Sequence, residues 1–167
     1  MYAGHAAIAT FVKGKRPELP LMLLVPAAFG PDWIDTLSHI AHHPNPEISH
    51  SLISVGICSG VLALATLSRF GGRDAIAVGA TYASHWVVDC ITGLKPTWPN
   101  GPQIGLQLYK HPGVDFVLES LVVGACWMVY RTSLAPEKRA SFLAAAMPLG
   151  LIAMQAVFAM LRAPALS

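Results

Sequence analysis

Charge is what this sequence has least of. Asp, Glu, Lys and Arg make up 12% of its 167 residues, about half the ~25% usual in soluble globular domains. Hydrophobic residues make up 54%, and mean hydropathy is +0.53. So few charges cannot cover so apolar a chain in water, which points away from a soluble domain and toward an integral membrane protein. Basic surplus is also lacking. A net charge of +2, with no basic face carrying interleaved aromatics, gives no footprint for nucleic acid. Cysteine is scarce: Cys58, Cys90 and Cys126 are odd in number, far apart and set in apolar stretches. That excludes a disulfide framework and any CxxC metal motif. No positive charge precedes the first apolar run, since Lys13, Lys15 and Arg16 follow it, so the N-terminus does not read as a signal peptide. Without linkers, charge blocks or repeats, residues 1–167 read as a single integral membrane domain.

Hydropathy and breakers predict an all-α, polytopic bundle. A short apolar helix over Tyr2–Val12 ends at the Lys13-Gly14-Lys15-Arg16-Pro17 turn. Further helices are expected over Glu18–His39, Ser51–Arg69, Asp74–Thr92, Val114–Tyr130 and Lys138–Leu161. A bilayer crossing needs about 20 apolar residues, so the expectation is about five spanning helices plus a half-membrane N-terminal helix. The candidate site falls in residues 1–120, with C-terminal helices over 114–162.

Basic residues predict the orientation. The turns after the first, third and fifth helices hold Lys13, Lys15, Arg16, Arg69, Arg73, Arg131, Lys138 and Arg139, against Lys95, Lys110 and Arg162 elsewhere. By the positive-inside rule the first group is cytoplasmic. His5, Asp32, Asp35, His50, His85 and Asp89 then share one depth, roughly 12–28 Å above the inner face at ~1.5 Å rise per residue.

What the chain does hold is seven histidines and five aspartates, most of them in short clusters. A charged side chain at the centre of a membrane helix costs about 2.5–3.5 kcal/mol, so these clusters require a cause. Asp32 and Asp35 are spaced i, i+3 and Asp35 and His39 i, i+4, which puts them on one helical face. The plainer reading makes Asp32 a helix cap and Asp35 a dipole partner, but a cap needs only one carboxylate. His85 and Asp89, spaced i, i+4, can grip one ion or orient one another; a metal-free buried pair is the alternative. Their shared depth with the other clusters favours a metal.

His50 lies between Ser49 and Ser51, either of which can cap the next helix. His5 has no partner nearby in sequence and, alone, reads as a packed histidine. His39 and His42 read as solvated, with His43 the most functional of that group. Asp115 and Glu119 are i, i+4 on the fifth helix. Asp115 has an ordinary dipole explanation and the deeper Glu119 does not. Lys110 beside His111 could hold an anionic group such as a phosphate head group.

An early His, then Pro31-Asp32-Trp33-Ile34-Asp35, then His43…Ser49-His50-Ser51, then Ser84-His85-Trp86-Val87-Val88-Asp89 resembles the bacterial integral-membrane family of metal-dependent hydrolases, the YdjM-like group. The resemblance covers about the first 120 residues, through Asp115-Phe116-Val117-Leu118-Glu119. It implies that His5, Asp32, Asp35, His50, His85 and Asp89 form the metal-binding set. Two features depart from the family pattern. Thr36 follows Asp35 where the family usually has His. The family's tight His-Arg-Gly turn is replaced by His43-Pro44-Asn45-Pro46.

These readings together predict a hydrolase of the bacterial inner membrane, its site facing outward, holding one or two divalent ions, most simply Zn²⁺. Asp35 or Glu119 would act as general base. His43, Lys110 and His111 would bind a lipid, lipid-linked or phosphoester substrate. A metal-ion or proton transporter requires polar residues continuing to the cytoplasmic side, where these helices have almost none. A non-catalytic membrane subunit with a structural polar or metal site is the other class. Oligomeric state is not encoded in any motif.

Overall fold

A computed structural model of the chain describes residues 2–42 and 46–162. The described residues are helical apart from loops and one small hairpin. The helices are α1 (Tyr2–Lys15), α2 (Leu21–Ala28), α3 (Gly30–Ile40), α4 (Pro46–Ser49), α5 (Leu52–Phe70), α6 (Gly72–Thr92), α7 (Pro112–Ser133), α8 (Pro136–Arg139) and α9 (Phe142–Arg162). Between α6 and α7, β1 (Lys95–Pro96) pairs antiparallel with β2 (Gln103–Ile104).

Among the described residues, three stretches are long and apolar enough to cross a membrane: Leu52–Phe70, Pro112–Ser133 and Pro136–Leu161. This corrects the expectation of about five spans. α6 has the length, at 21 residues, but it turns Thr81, His85, Asp89 and Thr92 into the bundle. Apolar content counted along the chain therefore falls short there, because the neighbouring helices bury the helix's polar side. The predicted single helix over Glu18–His39 is two. It breaks at Phe29, and Pro31 sits in the first turn of α3, where its missing N–H costs nothing. By contrast α5 leaves Ile53, Ile57, Val61 and Leu64 exposed, an apolar face that water does not favour.

α1 and α7 run parallel and very close. The Ala3 N–H donates to Glu119 Oε2 at 3.1 Å near one end, and Gly14 lies against Tyr130 near the other. A Cβ on Gly14 would come within 2.9 Å of the Tyr130 Cα, so only glycine fits. Ala3 and Ala7 pack on Val123 and Cys126 between these points, the small-residue contact expected of close helix pairs in membranes. α5 and α6 form an antiparallel pair, tied by Ser59 Oγ donating to the Gly79 carbonyl at 2.7 Å.

The basic residues gather at one end of the bundle, where Arg16 pairs with Asp74. At the opposite end the loop after α6 folds back onto the helix ends. Leu106 N donates to Cys90 O at 2.7 Å, and Ile53 N to Thr97 O at 3.3 Å. Trp86 Nε1 donates to Pro96 O at 3.2 Å. That folding caps the end where the histidines lie.

Candidate metal centre

The break between α2 and α3 has a chemical consequence. Ala28 is the last residue of α2, and the terminal carbonyls of a helix lack intrahelical donors. His85, on α6, supplies the donor: its Nδ1 lies 2.9 Å from Ala28 O. A carbonyl only accepts, so Nδ1 carries the proton and the Nε2 of the neutral ring is a bare lone pair. That lone pair faces Asp89 Oδ2 at 3.3 Å and Asp32 Oδ1 at 3.6 Å. The side chain is fully buried and Nε2 has no hydrogen bond. Electron-rich atoms brought this close around a buried nitrogen repel one another unless a cation or proton lies between them.

Two further imidazoles complete the group. His5, on α1, stacks parallel on His85 with ring centroids 4.0 Å apart, and its Nε2 lies 3.1 Å from Asp89 Oδ1. His50, in the turn between α4 and α5, places Nε2 3.1 Å from Asp32 Oδ1 and 4.0 Å from Asp89 Oδ2. Ser51 caps α5, its Oγ accepting from Ser54 N at 3.2 Å. Ser49 is thereby left to the imidazole, with Oγ 2.8 Å from His50 Nδ1. Two triads, His5–Asp32–His85 and His50–His85–Asp89, each bring their ligand-capable atoms within 4.8 Å of one another. Residue groups here could therefore hold a metal ion, and together they join five of the six residues anticipated as ligands.

Asp35, the sixth, belongs to neither triad. It lines a cavity of ≈ 390 Å³ together with Asp32, His50, Leu94, Lys95, Pro96 and Gln103, so it stands at the mouth of the cluster. Its Oδ1 has no hydrogen bond and lies 3.6 Å from His39 Nδ1. Asp32 is outside the three spanning stretches. Burial raises its pKa, but the His50 hydrogen bond and the nearby imidazoles outweigh that and hold it below the ordinary carboxylate value.

The remaining anticipated residues lie elsewhere. Glu119 is buried, and its carboxylate accepts from the α1 main chain at Ala3. It sits in a second polar group, in which Gln155 Nε2 donates to Asp115 Oδ2 at 3.1 Å. Lys110 and His111 are exposed and do not line the cavity beside the cluster. His43 lies outside the described residues.

The cation that does reach the cluster is Lys95, whose Nζ lies 2.6 Å from Asp89 Oδ2. Sequence alone did not single it out. Its one signal was being the first charge after the His-x-x-x-Asp helix. Ala28 carries no sequence signal, because it acts through its backbone.

No protein-family model, curated protein or solved structure matches the chain. The site is therefore defined by its own geometry: an all-α bundle with membrane-capable helices and a buried His–Asp cluster at one end.

Proposed function

We propose that this chain is a bacterial inner-membrane, metal-dependent hydrolase. Its site opens toward the outer leaflet and takes a lipid, lipid-linked or phosphoester substrate. The observation that carries the reading is the His85 lone pair, held toward two carboxylates by the Ala28 carbonyl. Three imidazoles and two carboxylates make a donor set suited to Zn²⁺, and a buried nitrogen without a hydrogen bond is an atom such an ion would satisfy. His5, Asp32, His50, His85 and Asp89 would hold it. A divalent ion there supplies Lewis acidity, polarising the scissile group and acidifying water toward pKa ~7.

The protein's own residues do the rest. Ala28 and Ser49 fix the directions of His85 and His50. Asp35, lining the cavity with an Oδ1 that makes no hydrogen bond, is placed to accept a proton from an attacking water. Glu119, engaged by the α1 main chain, is not. The crowding of basic residues at the far end supports a cytoplasmic placement of that end and an outward site. Beyond the three apolar stretches, α6 would cross while shielded by α1, α2 and α5.

The resemblance to the YdjM-like family supports the same reading. Metal-loaded wild-type protein should hydrolyse at least one member of a lipid and phosphoester panel, and Asp35→Asn should keep its metal but lose turnover. Absence of turnover across the panel in protein known to be metal-loaded would sink the hydrolase assignment. One observation favours a second reading: Lys95 already neutralises part of Asp89, as a purely structural polar network would require. A protein with no bound metal and no thermal shift on adding Zn²⁺ fits that non-catalytic role instead.

A further inference from the structure

We infer that Lys95 is a displaceable internal cation: it occupies Asp89 while the site lacks metal and is released to bind an anionic substrate group when metal enters. The inference rests on the metal-binding reading above and adds the substrate's charge to it.

Lys95 Nζ lies 2.6 Å from Asp89 Oδ2. That same oxygen faces His85 Nε2 at 3.3 Å and His50 Nε2 at 4.0 Å, so it is the oxygen the His50–His85–Asp89 triad offers to an ion. An ammonium and a divalent ion on one carboxylate oxygen repel strongly, and the ion brings the larger charge. Asp32 and Asp89 carry two negative charges; Lys95 offsets one of them, whereas a divalent ion offsets both. Metal entry therefore leaves the ammonium surplus.

The geometry also determines where it goes. The backbone of Lys95 is held by its pairing with Ile104, while the lysine stem is long and freely rotatable. The side chain lines the ≈ 390 Å³ cavity together with Asp32, Asp35, His50 and Gln103. A displaced ammonium thus stays at that cavity, backed by the ion's charge. Asp35 is the rival acceptor, but its Oδ1 already faces the His39 imidazole at 3.6 Å. The ligand chemistry that fits is an anion, a phosphoester or a carboxylate, rather than a neutral ester.

A merely structural Lys95–Asp89 pair makes the opposite prediction, which gives the test its sign. Zn²⁺ affinity of the full-length protein in nanodiscs is measured by chelator competition for wild type, Lys95→Met, Lys95→Arg and His85→Ala. Inorganic phosphate binding to the Zn²⁺-loaded forms follows by calorimetry. Lys95→Met should bind Zn²⁺ about tenfold more tightly and phosphate about tenfold more weakly than wild type, a change on the scale seen for residues contacting metal ligands. Lys95→Arg should stay near wild type in phosphate binding. Unchanged or weaker Zn²⁺ binding by Lys95→Met overturns the displacement, and unchanged phosphate binding overturns the anion assignment. If wild type binds Zn²⁺ and His85→Ala does not, those failures fall on Lys95 alone. If neither wild type nor Lys95→Met binds Zn²⁺ better than His85→Ala, the metal reading falls and this inference with it.

Discussion

His85 Nδ1 donates to the carbonyl of Ala28 across 2.9 Å, and that bond decides what the opposite face of the ring can do. Were the carbonyl engaged within a continuous helix, either tautomer of His85 would serve and the cluster could settle as an ordinary hydrogen-bonded network. The break at Phe29 removes that freedom. In the neutral ring Nε2 then presents a lone pair, and two carboxylate oxygens converge on it.

The break itself can be tested through Gly30. A Cβ at this position would come within 2.0 Å of the Tyr82 ring, so Gly30→Val must displace that ring or shift α3 against α6. Overpacking of this kind costs about 1–3 kcal/mol. The expected outcome is a lower melting temperature together with weaker Zn²⁺ binding, read by thermal unfolding with and without metal. Normal metal affinity in a folded Gly30→Val protein would separate the helix break from the site.

Gly14→Leu serves as the contrasting case. Its Cβ would strike the backbone of Tyr130 at the basic end, far along α1 from His5. Stability should fall by about 1–3 kcal/mol, while the Zn²⁺ dissociation constant of the protein that remains folded stays near wild type. A large loss of affinity would show that the site depends on the whole α1–α7 contact.

Ser49 orients His50 through the 2.8 Å contact to Nδ1. Partners that orient metal-ligating histidines are typically worth 10–100-fold in metal affinity (about 1.4–2.7 kcal/mol). Ser49→Ala should weaken Zn²⁺ binding within that range and leave far-UV circular dichroism unchanged; unaltered affinity would remove His50 from the ligand set.

Orientation is open to chemical labelling. A cysteine at Asn100, in the loop that caps the site, should react with a membrane-impermeant maleimide in cells whose outer barrier is permeabilised. One at Arg73, in the first turn of α6, should not. The reverse pattern would place the site on the cytoplasmic side.

Much of this architecture was legible in the sequence. His85 with Asp89 was readable because i, i+4 spacing survives any detail of helix placement. Pro31 marked the start of a helical turn, and the basic turns grouped the histidines at one end. The ion-capable cluster lost only Asp35 from the anticipated set, because one turn of α3 carries Asp35 from the ligand position to the cavity mouth.

Lys110 and His111 stand away from the cavity for a different reason. Closeness in sequence to α7 does not bring them to the cavity, whereas backbone bonds such as Leu106 to Cys90 fold Lys95 over it. The span count failed on α6, since hydropathy cannot tell a polar side buried by neighbours from one facing lipid. The role of the Ala28 carbonyl could not be read at all, since every residue has a carbonyl and only the fold decides which is left without a donor.

The most direct test of the central claim is the zinc content per chain of purified wild-type and His85→Ala protein, measured by elemental analysis after dialysis against trace Zn²⁺. At least one tightly held ion is expected in the wild type, and its loss in His85→Ala. A wild-type protein that retains none, or a His85→Ala protein that retains as much, would contradict it.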